Sequence, residues 1–146
     1  MTIRTMQETD YPQVRALWES CKGMGLNDVD DSFEGIARFL ERNPTTCLVA
    51  EEKGQVIGAI MAGYDGRRAN IYHTAVSPSR QGRGVGRALV EAVLERLGEL
   101  GATKASLVVF SRNEAGNAFW EHLGFGKRTD ITHRDRVLVE MTRLDT

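Results

Sequence analysis

Three glycines alternate in Gln81-Gly82-Arg83-Gly84-Val85-Gly86, and Arg80, Arg83 and Arg87 flank or interrupt them. Glycine lets a backbone approach a ligand closely and take positive φ. Downstream, Val85, Leu89, Val93 and Leu97, with Ala92 and Leu100, recur at helical spacing. The glycine loop therefore opens a helix. N–H groups there lack intrahelical partners, and the helix dipole adds partial positive charge. Such a site takes an anion, and a pyrophosphate suits it. Arg83 and Arg87 are candidates for charge-assisted contacts, or else are solvated surface arginines.

Two common phosphate patterns do not fit. There is no G-x-x-x-x-G-K-[ST] run, so the loop is not a P-loop. A nicotinamide fingerprint needs G-x-G-x-x-G and an acid about 20 residues on. Here the third glycine comes one place early, and Lys104 to Val108 contain no acid. The formal net charge of −1 argues against a nucleic-acid partner, which would call for a cationic surplus.

The elements that must hold this loop can be read outward from it. Ile3 to Met6 reads as a first strand. Thr9 is a helix N-cap with Pro12 in the first turn, followed by Val14, Leu17, Trp18 and Cys21 at helical spacing. Asp31 with Glu34 resembles a capping box for a second helix whose apolar face is Phe33, Ile36, Ala37 and Leu40, stopped by Asn43-Pro44. Cys47 to Ala50, Val56 to Tyr64 and Ala69 to Val76 read as an antiparallel meander with turns at Lys53-Gly54 and Asp65-Gly66. The glycine-loop helix ends at Gly101. Ala105 to Phe110 reads as a strand buried on both faces. A short helix runs from Glu114 to Leu123, and Val137 to Met141 is a last strand. The expectation is a single α+β domain over residues 1–146.

At this point the chain resembles the GNAT acyltransferases. Their pyrophosphate loop reads [Arg/Gln]-x-x-Gly-x-[Gly/Ala], matched by Gln81 to Gly86. A second motif, Asn-x-x-Ala-x-x-Φ-Tyr-x-x-x-Gly-Phe with Φ apolar, is similar to Asn113 through Phe125, with Trp120 at the tyrosine position. Gly63-Tyr64-Asp65-Gly66 and Leu26-Asn27-Asp28 look like the small bacterial YpeA-type members. The resemblance implies a mixed, mostly antiparallel sheet of six to seven strands, about four helices on both faces, and splayed central parallel strands. It implies acetyl-CoA as cosubstrate, with no metal. Gln81, Gly82, Arg83, Gly84, Val85, Gly86 and Arg87 would hold its pyrophosphate, and Ala75, Val76, Asn113 and Trp120 would border its arm and acyl group. The Val76 backbone would polarise the thioester carbonyl.

The implied reaction is direct attack by a primary amine on the thioester in a ternary complex. Deprotonating an amine of pKa about 10.4 at neutral pH costs about 4.6 kcal/mol, so a base or a water chain is needed. His73, Tyr72 and Asp65 are the candidates near the cleft. His73 has the suitable ordinary pKa, and it is equally readable as a strand histidine bonded to a neighbour. Tyr72 also suits packing, and Asp65 suits a turn. Leu107, Val108 and Val109 leave no carboxylate where some relatives carry a base. Indole N–H is no practical acid, so Trp120 opens a second reading, an acyl-CoA-binding module without catalysis.

Other features point to a cytoplasmic protein without a membrane segment, because Met1 to Arg4 lack an apolar signal core. Cys21 and Cys47 are expected to be reduced and buried. His122 and His133 have no metal-ligand spacing. Asp28, Asp30 and Asp31 would attract a cationic acceptor or else solvate a capping loop. The resemblance implies a small-molecule or peptide amine as acceptor, and a homodimer as the form to expect.

Overall fold

The computed structural model describes residues 1–145. Strands β1 (Thr2–Thr5), β2 (Cys47–Glu52), β3 (Gln55–Tyr64) and β4 (Ala69–Val76) pair antiparallel in chain order. β5 (Ala105–Leu107) adds parallel to β4 at the edge of this five-stranded sheet. The Lys53-Gly54 turn has positive φ at both residues, 51° and 78°, which matches the right-handed twist of the hairpin it closes.

Side-chain alternation on the central strands builds two cores. Leu48, Ala50, Ile60 and Ala62 face one side, while Cys47, Val49, Ala59 and Met61 face the other. Helices α1 (Tyr11–Glu19) and α2 (Phe33–Arg42) cover the second set through Val14, Leu17, Trp18, Ile36 and Leu40. Helix α3 (Val85–Leu100) covers the first through Val85, Leu89, Val90, Val93 and Leu97, joined by Trp120 from α4 (Glu114–His122). Leu89 and Val93 are fully buried, and each contributes about 1.5–3 kcal/mol by leaving water. Gly58 of β3 lets α3 sit this close, since a Cβ there would lie 2.9 Å from Leu89.

The β3–β4 register shifts opposite Met61. Before the shift Ala69 and Ile71 pack on the α3 side; beyond it Ala75 packs on the α1–α2 side. At the shift, Tyr72 meets the Phe39 ring and His73 meets the Trp18 ring. The bulge thus turns two adjacent side chains to one face of the sheet, which a regular strand forbids.

Among the described residues the sheet has five strands, not six to seven, and β5 is an edge strand rather than a central one. Val137 to Met141 form no strand; Val137 and Leu138 are 63% and 91% exposed. The main-chain bonds of this segment's far end go elsewhere: Thr142 and Leu144 pair with Asp28 and Leu26, and the Asp145 carboxylate accepts the Gly25 and Leu26 N–H groups. With no strand on its outer side, β5 ends at Leu107 and leaves Val108 74% exposed. Thr9 caps nothing; a 3-10 turn over Glu8–Asp10 leads into α1. Ser32, not Asp31, caps α2, accepting the Gly35 N–H at 3.0 Å. Phe33 is 44% exposed and Leu100 47%, so neither joins the core.

Candidate functional site

β4 and β5 pair only from Ala69 to Ile71, opposite Ala105 to Leu107. Beyond that the two strands part, and the β4 edge from Tyr72 to Val76 is left without a β5 partner. The gap opens into a cleft of about 1990 Å³ that runs from the glycine loop to α2. A pocket for one small molecule holds about 300–1,000 Å³, so this one has room for a large cosubstrate and a second molecule.

One end of the cleft is the glycine loop. Gly82 and Gly84 sit at φ 80° and 82°, and a Cβ on either would meet open space. Gly84 is the N-cap of α3 and has no side chain to satisfy the first-turn N–H groups. Among the described residues those of Val85, Gly86 and Arg87 have no acceptor, so the cradle suits a pyrophosphate. Gln81, Gly82, Gly84, Val85, Gly86 and Arg87 line the cleft, whereas Arg83 does not. The Gln81 amide donates to the Val76 carbonyl at 3.1 Å and ties the loop to the end of β4. Arg80 and Arg87 hold Glu52 and Glu91 at 3.0 and 2.9 Å.

Ala75, Val76, Asn113 and Trp120 line the middle. The Asn113 side-chain oxygen caps α4 by accepting the Gly116 N–H at 2.9 Å, which fixes its amide at the cleft wall. Trp120 is 9% exposed and packs edge-on to Phe119 and Phe125. Cys21, half-buried, donates its thiol to the Val76 carbonyl at 3.4 Å.

At the far end His73 Nε2 lies 2.6 Å from Asp31 Oδ1, with side-chain exposures of 15% and 4%. The other Asp31 oxygen accepts the Asn27 N–H at 2.9 Å. Three constraints aim the imidazole: the bulge, the Trp18 edge at 4.9 Å and the carboxylate. A carboxylate at one nitrogen selects the tautomer with that N–H donating, and leaves the lone pair on Nδ1. Sequence reasoning missed the Asp31 partner. The sequence offers Asp31 as a cap for α2 or as one of three acids that attract a cationic acceptor, and no local signal relates residue 31 to residue 73.

Asp65 does not line the cleft. It accepts the Arg67 and Arg68 N–H groups at 2.7 Å each, and these bonds, that of Arg68 foremost, hold its carboxyl below the usual range. The acids between α1 and α2 are likewise engaged: Asp28 accepts the Thr142 N–H, and Asp30 accepts the Asn27 amide at 3.1 Å. His122 and His133 are exposed, and no group of three His, Cys, Asp or Glu among the described residues could hold a metal ion. Among the described residues no helix is long and apolar enough to cross a membrane.

Known proteins share this fold. The model of the acetyltransferase (GNAT) family matches residues 11–125. An acetyltransferase of Yersinia enterocolitica, YE1169, is 34% identical over 140 residues, 96% of this chain and 98% of that protein. The ribosomal-protein-S18-alanine N-acetyltransferase from Escherichia coli superposes with a TM-score of 0.73 at 25% identity, covering 88% of this chain and 79% of that one. Rv2747 from Mycobacterium tuberculosis, in complex with CoA and NLQ, has a similar fold, with a TM-score of 0.71 at 20% identity over 90% of this chain and 76% of that one.

Proposed function

The chain belongs to the GNAT acetyltransferase family, and from that premise we propose that it moves the acetyl group of acetyl-CoA to a primary amine by direct attack in a ternary complex, with His73 as the base. One observation carries this reading. The glycine loop and the His73–Asp31 pair open into the same cleft, on either side of the parted strands. The first-turn N–H groups of α3 hold the pyrophosphate, and Arg87 adds charge beside it. The free edge of β4 near Ala75 and Val76 takes the arm, with Asn113 on the opposite wall. The Val76 backbone N–H donates to the thioester oxygen as it takes up charge.

His73 Nδ1 accepts the amine proton, and Asp31 steadies the imidazolium that results. The nitrogen lone pair then forms the new bond to the acyl carbon, the nitrogen gives up its second proton to solvent, and the carbon–sulfur bond breaks. The CoA sulfur leaves as a thiolate, and a cysteine-like thiol, with a pKa of about 8.5, shows how readily such a group departs as the anion. Solvent can return its proton, so Trp120 is not required as an acid. Tyr72, exposed beside His73, borders the incoming amine.

The test follows thiol release over a panel of amines. His73→Ala is expected to lower turnover by about 100- to 10,000-fold while acetyl-CoA affinity stays unchanged. Asp31→Asn is expected to cost on the order of 100-fold through misplacement of the ring. Acetyl-CoA binding without thiol release for any amine would instead favour the acyl-CoA-binding module, the reading that Trp120 motivates.

A further inference from the structure

α2 borders the acceptor end of the cleft and is pinned at both ends. At its start, Gly35 packs on the main-chain oxygens of Val29 and Asp30 so closely that no methyl group fits. At its end, Asn43 accepts the Tyr64 N–H at 3.0 Å and donates to the Phe39 carbonyl at 3.3 Å. The helix is therefore a fixed bar alongside the His73–Asp31 pair. Arg38 and Arg42 stand one turn apart on it, and both line the cleft. The acids of the same helix, Glu34 and Glu41, do not.

The charges at this end are unequally satisfied. Asp31 holds His73 and the Asn27 N–H, and Asp30 holds the Asn27 amide. Arg4, Arg15, Arg80 and Arg87 each grip a carboxylate elsewhere. Arg38 and Arg42 make no ion pair and no hydrogen bond among the described residues. Between them Phe39 packs edge-on to Tyr72 at 5.5 Å, giving an apolar floor that leads back to His73. Two unpaired guanidiniums, an aromatic floor and a base form a graded surface: positive at one end, apolar in the middle, amine-accepting at the other.

We infer that the acceptor is a small amine carrying a carboxylate several methylenes from its nitrogen, with Arg38 and Arg42 as the carboxylate subsite. This rests on the transfer reading above for where the amine sits. The Phe39–Tyr72 contact at 5.5 Å sets α2 against the residue beside His73, and Arg38 and Arg42 flank Phe39 about 6 Å apart along the helix axis. An amine bound at His73 therefore reaches the guanidiniums only through a chain that crosses this aromatic floor. The forked guanidinium suits a carboxylate, which takes two parallel hydrogen bonds from it.

The probes are ε-aminocaproate, hexylamine and hexamethylenediamine, which differ only at the end remote from the reacting nitrogen. Calorimetry on the CoA-loaded chain is expected to give ε-aminocaproate an affinity at least about tenfold above hexylamine, with the diamine weakest. The double variant Arg38→Glu/Arg42→Glu is expected to reverse that order while melting temperature and CoA affinity hold, both residues being exposed. His73→Ala should lose transfer and keep the order, which separates this subsite from the base assignment. Equal or tighter binding of hexylamine or the diamine, no binding by any of the three, or an order that survives the double variant would overturn the subsite.

Discussion

At Gly84 the backbone takes φ 82°, a region that a β-branched residue enters only with strain of about 1–3 kcal/mol. The space around it is empty of protein, so what a side chain there would meet is the ligand. Gly84→Val is expected to fold with a cooperative melt and to lose at least about tenfold in acetyl-CoA affinity, read by titration; unchanged affinity would remove the loop from the cosubstrate site. Gly86, two residues on, has a different reason to be glycine. A Cβ there would sit 3.1 Å from the Phe119 ring and 3.5 Å from Val76. Gly86→Val should cost about 1–3 kcal/mol in a denaturant melt through overpacking, because α3 and α4 meet at that point. The two cysteines differ as sharply. Cys47 is fully buried, and burial pushes its thiol up to about 12, while half-buried Cys21 faces the cleft. An aromatic disulfide reagent should label one thiol in the native protein and two in denaturant, and acetyl-CoA should slow the first.

The elements divide into those with local causes and those with distant ones. α3 matches its reading from Val85 to Leu100, because period, glycine entry and glycine exit are all local. The β2–β3 hairpin is equally local, from Lys53-Gly54 and two apolar runs. The bulge at Tyr72-His73 was not legible, since it depends on which residue of β3 stands opposite. The Val137 to Met141 run carries a strand's composition, but a strand also needs a neighbour, and here the chain beyond it bonds to the 25–28 loop instead. The candidate site was legible where it is built from one loop, Gln81 to Gly86. It was illegible where it joins residues 31 and 73 across two elements. α2 shows how such a joint is held. Gly35→Ala should push α2 from the 29–31 loop, lowering the melting temperature and turnover together. A melt unchanged within error would mean the contact is slack.

Across the whole molecule, the first strand is locked to the rest by an ion network. Arg4 holds Asp10 and Glu51 at 2.8 Å each, which joins β1, the entry to α1 and β2. The Arg4 hydrogen bonds hold the Asp10 carboxyl below its ordinary 3.8. A depressed carboxyl stabilises the fold above its unfolded value, and that contribution is lost as pH falls through the folded one. Stability should therefore decline as pH drops below about 4. At neutral pH Asp10→Asn should be the less stable protein by about 1–3 kcal/mol, with the gap closing in acid, as denaturant melts across pH would record. The molecule also contains one residue that its sheet does not need. Losing a residue from a strand ordinarily turns every later side chain to the wrong face. At the bulge the opposite holds. Without Tyr72, His73 would stand opposite Met61, and Thr74, Ala75 and Val76 would keep their partners on β3. A chain of one residue fewer would satisfy both cores, so the extra length of β4 answers to the cleft and not to folding. It is a position where natural length variation would trade away the acceptor wall and leave the architecture intact.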